Sequence, residues 1–137
     1  MKLEASCHCG AVRFSVESAH PQPYMRCYCS ICRKAGGGGG YGINLSGDNK
    51  TLQVEGQDKV RIYRAMKTVD GERVHSSHER HFCSLCGTHL WAHNSKWPDL
   101  VHPVASCIDT DLPGPVSRSH IMIASKANWV AIEGSPD

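Results

Sequence analysis

Seven of the eight cysteines in this 137-residue chain fall into three tight groups, and no other feature limits the possible folds as much. The groups are Cys7-His8-Cys9-Gly10, Cys27-Tyr28-Cys29-Ser30-Ile31-Cys32 and Cys83-Ser84-Leu85-Cys86-Gly87, with Cys107 standing alone. A disulfide inside Cys-x-Cys or Cys-x-x-Cys closes a small strained ring, so bridges would have to join one group to another. Seven thiols cannot all pair that way without borrowing Cys107. Metal binding accounts for the spacing better. Zinc gathers thiolates into a tetrahedron at about 2.3 Å, so two ligands from one turn must converge on one point. A glycine after the second cysteine permits the left-handed backbone that such a curl uses, and Gly10 and Gly87 occupy that place. Cys7, Cys9, Cys83 and Cys86 therefore supply four thiolates, enough for a closed structural site clamping the amino-terminal segment to the later chain.

Cys27, Cys29 and Cys32 supply three thiolates and no fourth from their own stretch. Three protein ligands with one open position is the pattern of a catalytic zinc, where the metal lowers the pKa of an incoming thiol and holds it as a nucleophile. The alternative fills the fourth place with one of the nine histidines and makes this centre structural too. A tetrathiolate set also accepts iron, but zinc is the expected metal, two ions per chain.

Composition narrows the remaining classes. With 40% apolar and 20% charged residues, a globular fold is expected, and the length suits one domain over 1–137 with a loose tail at Gly134 to Asp137. A net charge of +2 and the lack of any five-residue basic run argue against a nucleic-acid partner. No stretch approaches the roughly 18 apolar residues of a membrane helix. The opening Met1-Lys2-Leu3-Glu4-Ala5 lacks the apolar run of a secretory signal, so a reducing cytoplasmic setting is expected. Nothing in the sequence sets an oligomeric state.

Short alternating apolar runs point to an all-β domain. Ala11 to Val16 puts Val12, Phe14 and Val16 on one face, and Thr51 to Glu55 alternates likewise. Lys59 to Arg64 places Val60 and Ile62 together. Further candidate strands are Tyr41 to Leu45, His89 to His93, Leu100 to Ala105, Ser119 to Ala124 and Trp129 to Ile132. Only Ser30 to Ala35 and Ser125 to Asn128 suit a helical turn. Gly36 to Gly40 reads as a close-approach loop or strand start rather than a domain boundary.

Among the other residues, Arg33 and Lys34 follow Cys32 and are candidates to hold a substrate carboxylate or to offset the thiolate charge. His89 and His93 share a face with Trp91 if that segment is extended. His75, His78 and His81 are expected on an exposed loop and strand, within reach of the open zinc. Cys107 reads as a buried small hydrophobe in an apolar strand, and Trp91 and Trp129 as core or rim aromatics.

At Cys7-x-Cys9-Gly10, Cys27-x-Cys29-x-x-Cys32-Arg33-Lys34 and Phe82-Cys83-x-x-Cys86-Gly87-Thr88 the chain resembles the glutathione-dependent formaldehyde-activating enzyme family. Ser106-Cys107-Ile108-Asp109 and His120-Ile121 followed by Lys126 and Trp129 extend the likeness over nearly the whole chain. The resemblance implies the zinc-stapled β-tent fold, with Cys7, Cys9, Cys83 and Cys86 as structural ligands and Cys27, Cys29 and Cys32 as catalytic ones. It also implies a carbon–sulfur lyase joining glutathione, or a related thiol, to formaldehyde or another small aldehyde, or the reverse, so the carboxylate offered to Arg33 and Lys34 would be that of glutathione. A centromere protein V branch of the group has a non-enzymatic role. The competing reading is a non-catalytic zinc module serving as glutathione carrier or protein-interaction scaffold, which a fourth protein ligand at the second centre would favour. Gly37 to Gly40 and the His-rich Lys67 to His81 depart from the family pattern where they would reshape a pocket.

Overall fold

The computed structural model describes residues 1–36 and 38–132, so the tail at Gly134 to Asp137 lies outside the described residues. Among the described residues, thirteen short strands and one α-helix follow in chain order: β1 (Lys2–Ser6), β2 (Arg13–Glu17), β3 (Met25–Cys27), α1 (Ser30–Gly36), β4 (Gly42–Ile43), β5 (Gly47–Asp48) and β6 (Gln53–Glu55). Then come β7 (Val60–Tyr63), β8 (Met66–Val69), β9 (Glu72–His75), β10 (His78–Cys83), β11 (His89–Asn94), β12 (Leu100–Pro103) and β13 (Ser119–Ile121). The fold is all-β apart from α1 and single 3₁₀ turns. No helix among the described residues is long and apolar enough to cross a membrane.

Alternation explains the first layer. Leu3 and Ala5 of β1 and Phe14 and Val16 of β2 are buried, while their polar neighbours Lys2, Glu4 and Arg13 face water. These strands pair antiparallel, Leu3 opposite Val16, and β6 adds a third strand beyond β2. The apolar face covers a five-stranded sheet ordered β5-β12-β11-β10-β7, whose Leu90, Trp91 and Val101 complete one core. Phe14 meets Trp91 edge to face, with ring centroids 5.0 Å apart. A third sheet, β13-β3-β4, carries α1 at its edge and includes a parallel pairing of β13 with β3. The β8–β9 hairpin stands apart from all three, and most of Lys67 to His81 lies in it.

Several expectations need correction. Val60 is buried opposite Cys83, but Ile62, farther along opposite His81, is 49% exposed because β7 is the edge of its sheet. The strand expected over Ser119 to Ala124 stops at Ile121, since Met122 takes a left-handed φ of 58° and starts a 3₁₀ turn at Ile123–Ser125. That turn replaces the one expected at Ser125 to Asn128. Trp129 to Ile132 forms no strand: Trp129 is 65% exposed, and Val130 is pinned by the Lys126 ammonium, which donates to its carbonyl oxygen at 2.7 Å. Cys107 is buried as expected, but in the 3₁₀ turn Ala105–Cys107, where Sγ donates to the carbonyl oxygens of Val104 and Leu90. In the glycine run, Gly40 has a φ of 82°, and a Cβ there would strike the side chain of Val130, which is the close approach expected of this loop.

Candidate functional site

The first centre joins two turns distant in sequence. The chain leaving β1 curls so that the Cys7 N–H donates to Val12 O at 2.9 Å and the Gly10 N–H to Cys7 O at 3.1 Å. The turn after β10 repeats the device, with the Gly87 N–H on Cys83 O at 2.8 Å. Gly10 and Gly87 have φ of 79° and 77°, the left-handed backbone expected after the second cysteine of each motif. The His8 N–H donates to Thr88 Oγ1 at 3.1 Å and so ties one turn to the other. All four ligand sulfurs lie within 4.8 Å of one another, with Cys7 Sγ 3.6 Å from Cys9 Sγ and Cys9 Sγ 3.8 Å from Cys83 Sγ. A tetrahedron with metal–sulfur bonds of about 2.3 Å has edges of about 3.8 Å, so the donor set fits a tetrahedral thiophilic ion. A disulfide would need about 2.05 Å, and all eight cysteines are free. Within it, the Thr88 hydroxyl bonded to Cys86 Sγ at 3.2 Å, followed by backbone donors from Cys9 and Thr88, draws the Cys86 thiol down to about 5, whereas Cys9, against a backbone bond from Ala11, is pushed up to about 11 by the neighbouring thiols.

The second centre is built where β3 runs into α1. Cys27 ends β3, Cys29 lies in the connecting turn and Cys32 is on the first turn of the helix. The Cys32 N–H donates to Cys29 Sγ at 3.3 Å, and the Arg33 N–H to Cys29 O at 2.9 Å. The three sulfurs lie within 4.8 Å of one another, and among the described residues no histidine, carboxylate or fourth sulfur joins them. Cys27 and Cys32 are buried and Cys29 is half-buried. Burial, ahead of any neighbour, pushes the free Cys27 thiol up to about 12. A lone thiolate there is therefore costly, and a coordinated cation is the partner that removes the cost.

Around this centre the structure places residues that the sequence did not single out. Arg80 of β10 directs two guanidinium nitrogens at Cys32 Sγ, 3.5 and 3.6 Å away, and the Asn44 amide approaches the same sulfur at 3.8 Å. A pocket of about 20 Å³ beside Cys32 is walled by Asn44, Arg80, Ala35 and His89. Ala35 and His89 also wall a much larger open cleft of about 560 Å³, lined further by Ile31 and Lys34 of α1, Tyr63 of β7 and Phe82 of β10. The three-cysteine centre and the cleft are thus neighbours across two shared side chains.

A strand irregularity puts His89 there. The β10–β11 register pairs His81 with Trp91 but Phe82 with His89, leaving Leu90 as the extra residue of a bulge. Successive residues of β10 point to opposite faces, so His89 goes with Phe82 and Arg80 while Trp91 goes with His81. The stacked rings agree: His81 on Trp91 at 4.8 Å and Phe82 on His89 at 5.7 Å. The expectation that His89 shares a face with Trp91 is corrected by this one residue. Burial first, then the Arg80 charge, holds His89 below the usual histidine range.

Of the proposed carboxylate partners, Lys34 lines the cleft, whereas Arg33 Nε donates to Ser125 O at 3.2 Å. His75 is exposed on β9, while His78 and His81 are half-buried on β10, outside the three-sulfur group. Arg80 left no mark in the sequence because its partner sulfur is 48 residues away. His89 was visible as a candidate, but its orientation depends on the bulge.

A crystal structure of a Rhodobacter sphaeroides protein superposes with a TM-score of 0.60 at 24% identity, covering 82% of this chain and 92% of that one, and shows the same fold. A protein of Halomonas elongata, provisionally named a glutathione-dependent formaldehyde-activating enzyme, is 59% identical over 133 residues, 97% of this chain and 82% of its own length. The family model described as glutathione-dependent formaldehyde-activating enzyme matches residues 2–124. The chain belongs to the glutathione-dependent formaldehyde-activating enzyme family.

Proposed function

We propose that this protein is a cytoplasmic, single-domain, zinc-dependent carbon–sulfur lyase that joins glutathione, or a closely related thiol, to formaldehyde and catalyses the reverse cleavage. The observation that carries the reading is three converging thiols without a fourth ligand among the described residues, set beside a cleft large enough for a tripeptide. Cys7, Cys9, Cys83 and Cys86 would hold the structural ion, and Cys27, Cys29 and Cys32 the catalytic one. When bound at the second centre, zinc supplies Lewis acidity that lowers the pKa of a substrate thiol and keeps it as thiolate.

The chain's own residues do the rest. Ile31 and Phe82 give the cleft apolar walls against which the peptide packs. Lys34 meets a substrate carboxylate, and Arg33, through the carbonyl of Ser125, braces the helix that carries Lys34. The reaction forms one C–S bond between the thiolate sulfur and the aldehyde carbon, while the carbonyl oxygen takes up a proton. His89, neutral and at the junction of cleft and centre, would take the proton that the substrate thiol loses and pass it to that oxygen, and would carry it back in the reverse reaction. Holding thiol and aldehyde together supplies the acceleration, since the two also combine unaided.

The test is exchange NMR on ¹³C-formaldehyde mixed with glutathione. Exchange between the free aldehyde hydrate and the S-hydroxymethyl adduct should rise in proportion to added protein, and Cys29→Ser should remove at least about nine-tenths of that rise. Equal acceleration by both proteins would refute the assignment.

A further inference from the structure

We infer that Arg80 is a positioning residue for the three-cysteine centre, its guanidinium balancing the negative charge that collects on the sulfurs as the centre loads. The role in metal loading stands on geometry alone. Its extension to a fourth, substrate thiolate rests on the function proposed above.

Arg80 is central in its sheet, paired with Ala92 of β11 on one side and Tyr63 of β7 on the other, so its backbone is fixed by two ladders. Its side chain is half-buried and always charged. A charge in that position normally requires a counter-ion, because desolvating it unpaired is costly. Among the described residues, no ion pair involves Arg80. The adjacent carboxylate, Glu79, points to the opposite face of β10, where it meets His93 at 3.7 Å. His78 and His89, on the Arg80 side, are both held below the usual histidine range by burial and then by Arg80 itself. What the guanidinium does face is Cys32 Sγ, through both terminal nitrogens, with Asn44 completing the set of donors on that sulfur.

Charge bookkeeping then fixes the direction of the effect. Placing a divalent ion on three thiols releases three protons and takes the centre from neutral to one negative charge. Adding a substrate thiol as thiolate releases one more proton and makes it two. A neighbouring cation favours each step, and its removal weakens each. Arg80 thus biases the centre toward a fourth ligand that arrives as an anion.

The experiment compares wild type, Arg80→Gln and Arg80→Lys, each zinc-loaded and checked for folding by circular dichroism. Chelator competition should resolve two classes of zinc. In Arg80→Gln one class should weaken by at least about tenfold and the other stay at the wild-type value, while Arg80→Lys keeps both within about threefold. On the cobalt-substituted proteins, glutathione titrations followed by sulfur-to-cobalt charge-transfer absorption should show a matching loss of at least about tenfold in Arg80→Gln and rescue in Arg80→Lys. Unchanged zinc affinity in Arg80→Gln overturns the inference, and so does a loss in Arg80→Lys as large as that in Arg80→Gln, which would mean packing rather than charge. If Arg80→Gln does not fold, Arg80→Lys decides alone: near-wild-type affinities support the charge role and a tenfold loss refutes it. Wild type that takes up no glutathione, with the zinc results as predicted, removes the proposed reaction and leaves the charge role in metal loading standing.

Discussion

His78 shows how far position alone moves a side chain in this molecule. Burial, then the charges of Arg80, His102 and His93, hold it down to about 4, against an ordinary value of about 6.5. Its ring stacks on His102 at 6.3 Å, and His102 Nδ1 lies 3.2 Å from Leu45 O, so neither ring is free to turn out to water without breaking a contact. The unfolded chain therefore takes a proton here before the folded one does. Stability from this residue is complete above about pH 6.5 and drains away as pH falls toward 4. Thermal midpoints of His78→Gln should consequently fall less between pH 7 and pH 5 than those of wild type, while His81 and His89, also held down by burial, add slope of the same sign to both proteins. An identical fall in the two proteins would show that His78 is not the group responsible.

At the scale of elements, the informative units are turns and one bulge rather than whole strands. The cysteine turns were legible because their geometry is local: spacing, a following glycine and the tetrahedral demand of the metal are all written within five residues. The run Val12, Phe14, Val16 was legible for the same reason, its alternation needing no knowledge of the partner. What depends on a distant partner was not. Lys2–Ser6 has the same alternation in Leu3 and Ala5, but it is short and charged, and only pairing with β2 makes it a strand. Neither the parallel pairing of β13 with β3 nor the Leu90 bulge that turns His89 toward Arg80 has a sequence signature of its own. The turn hypothesis has a simple check at Gly87, where an added Cβ would meet nothing within 4 Å. Any cost of Gly87→Ala is therefore conformational, about 1–2 kcal/mol from holding alanine at a left-handed φ. Denaturant titration at fixed zinc should show that loss, whereas a stability equal to wild type would mean the turn does not need the left-handed backbone.

For the whole molecule, the proposed function divides the labour of the two cysteine centres between holding and acting. The first lies where the β1–β2 turn meets the end of β10, so a metal bound there would pin the covering sheet onto the five-stranded one at the margin of the core formed by Phe14, Leu90 and Trp91. Such a clamp would supplement a core with few aromatics, the chain having only 2 Phe and 3 Trp. The second lies at the β3–α1 junction on the separate β13-β3-β4 sheet, and none of its three cysteines belongs to the main core cluster. This separation makes the central claim measurable by counting zinc in the purified protein and in Cys29→Ser, with folding followed by circular dichroism. The account predicts two zinc ions per wild-type chain, and one in the variant with its fold retained. One ion in wild type, or a variant that unfolds, would contradict it.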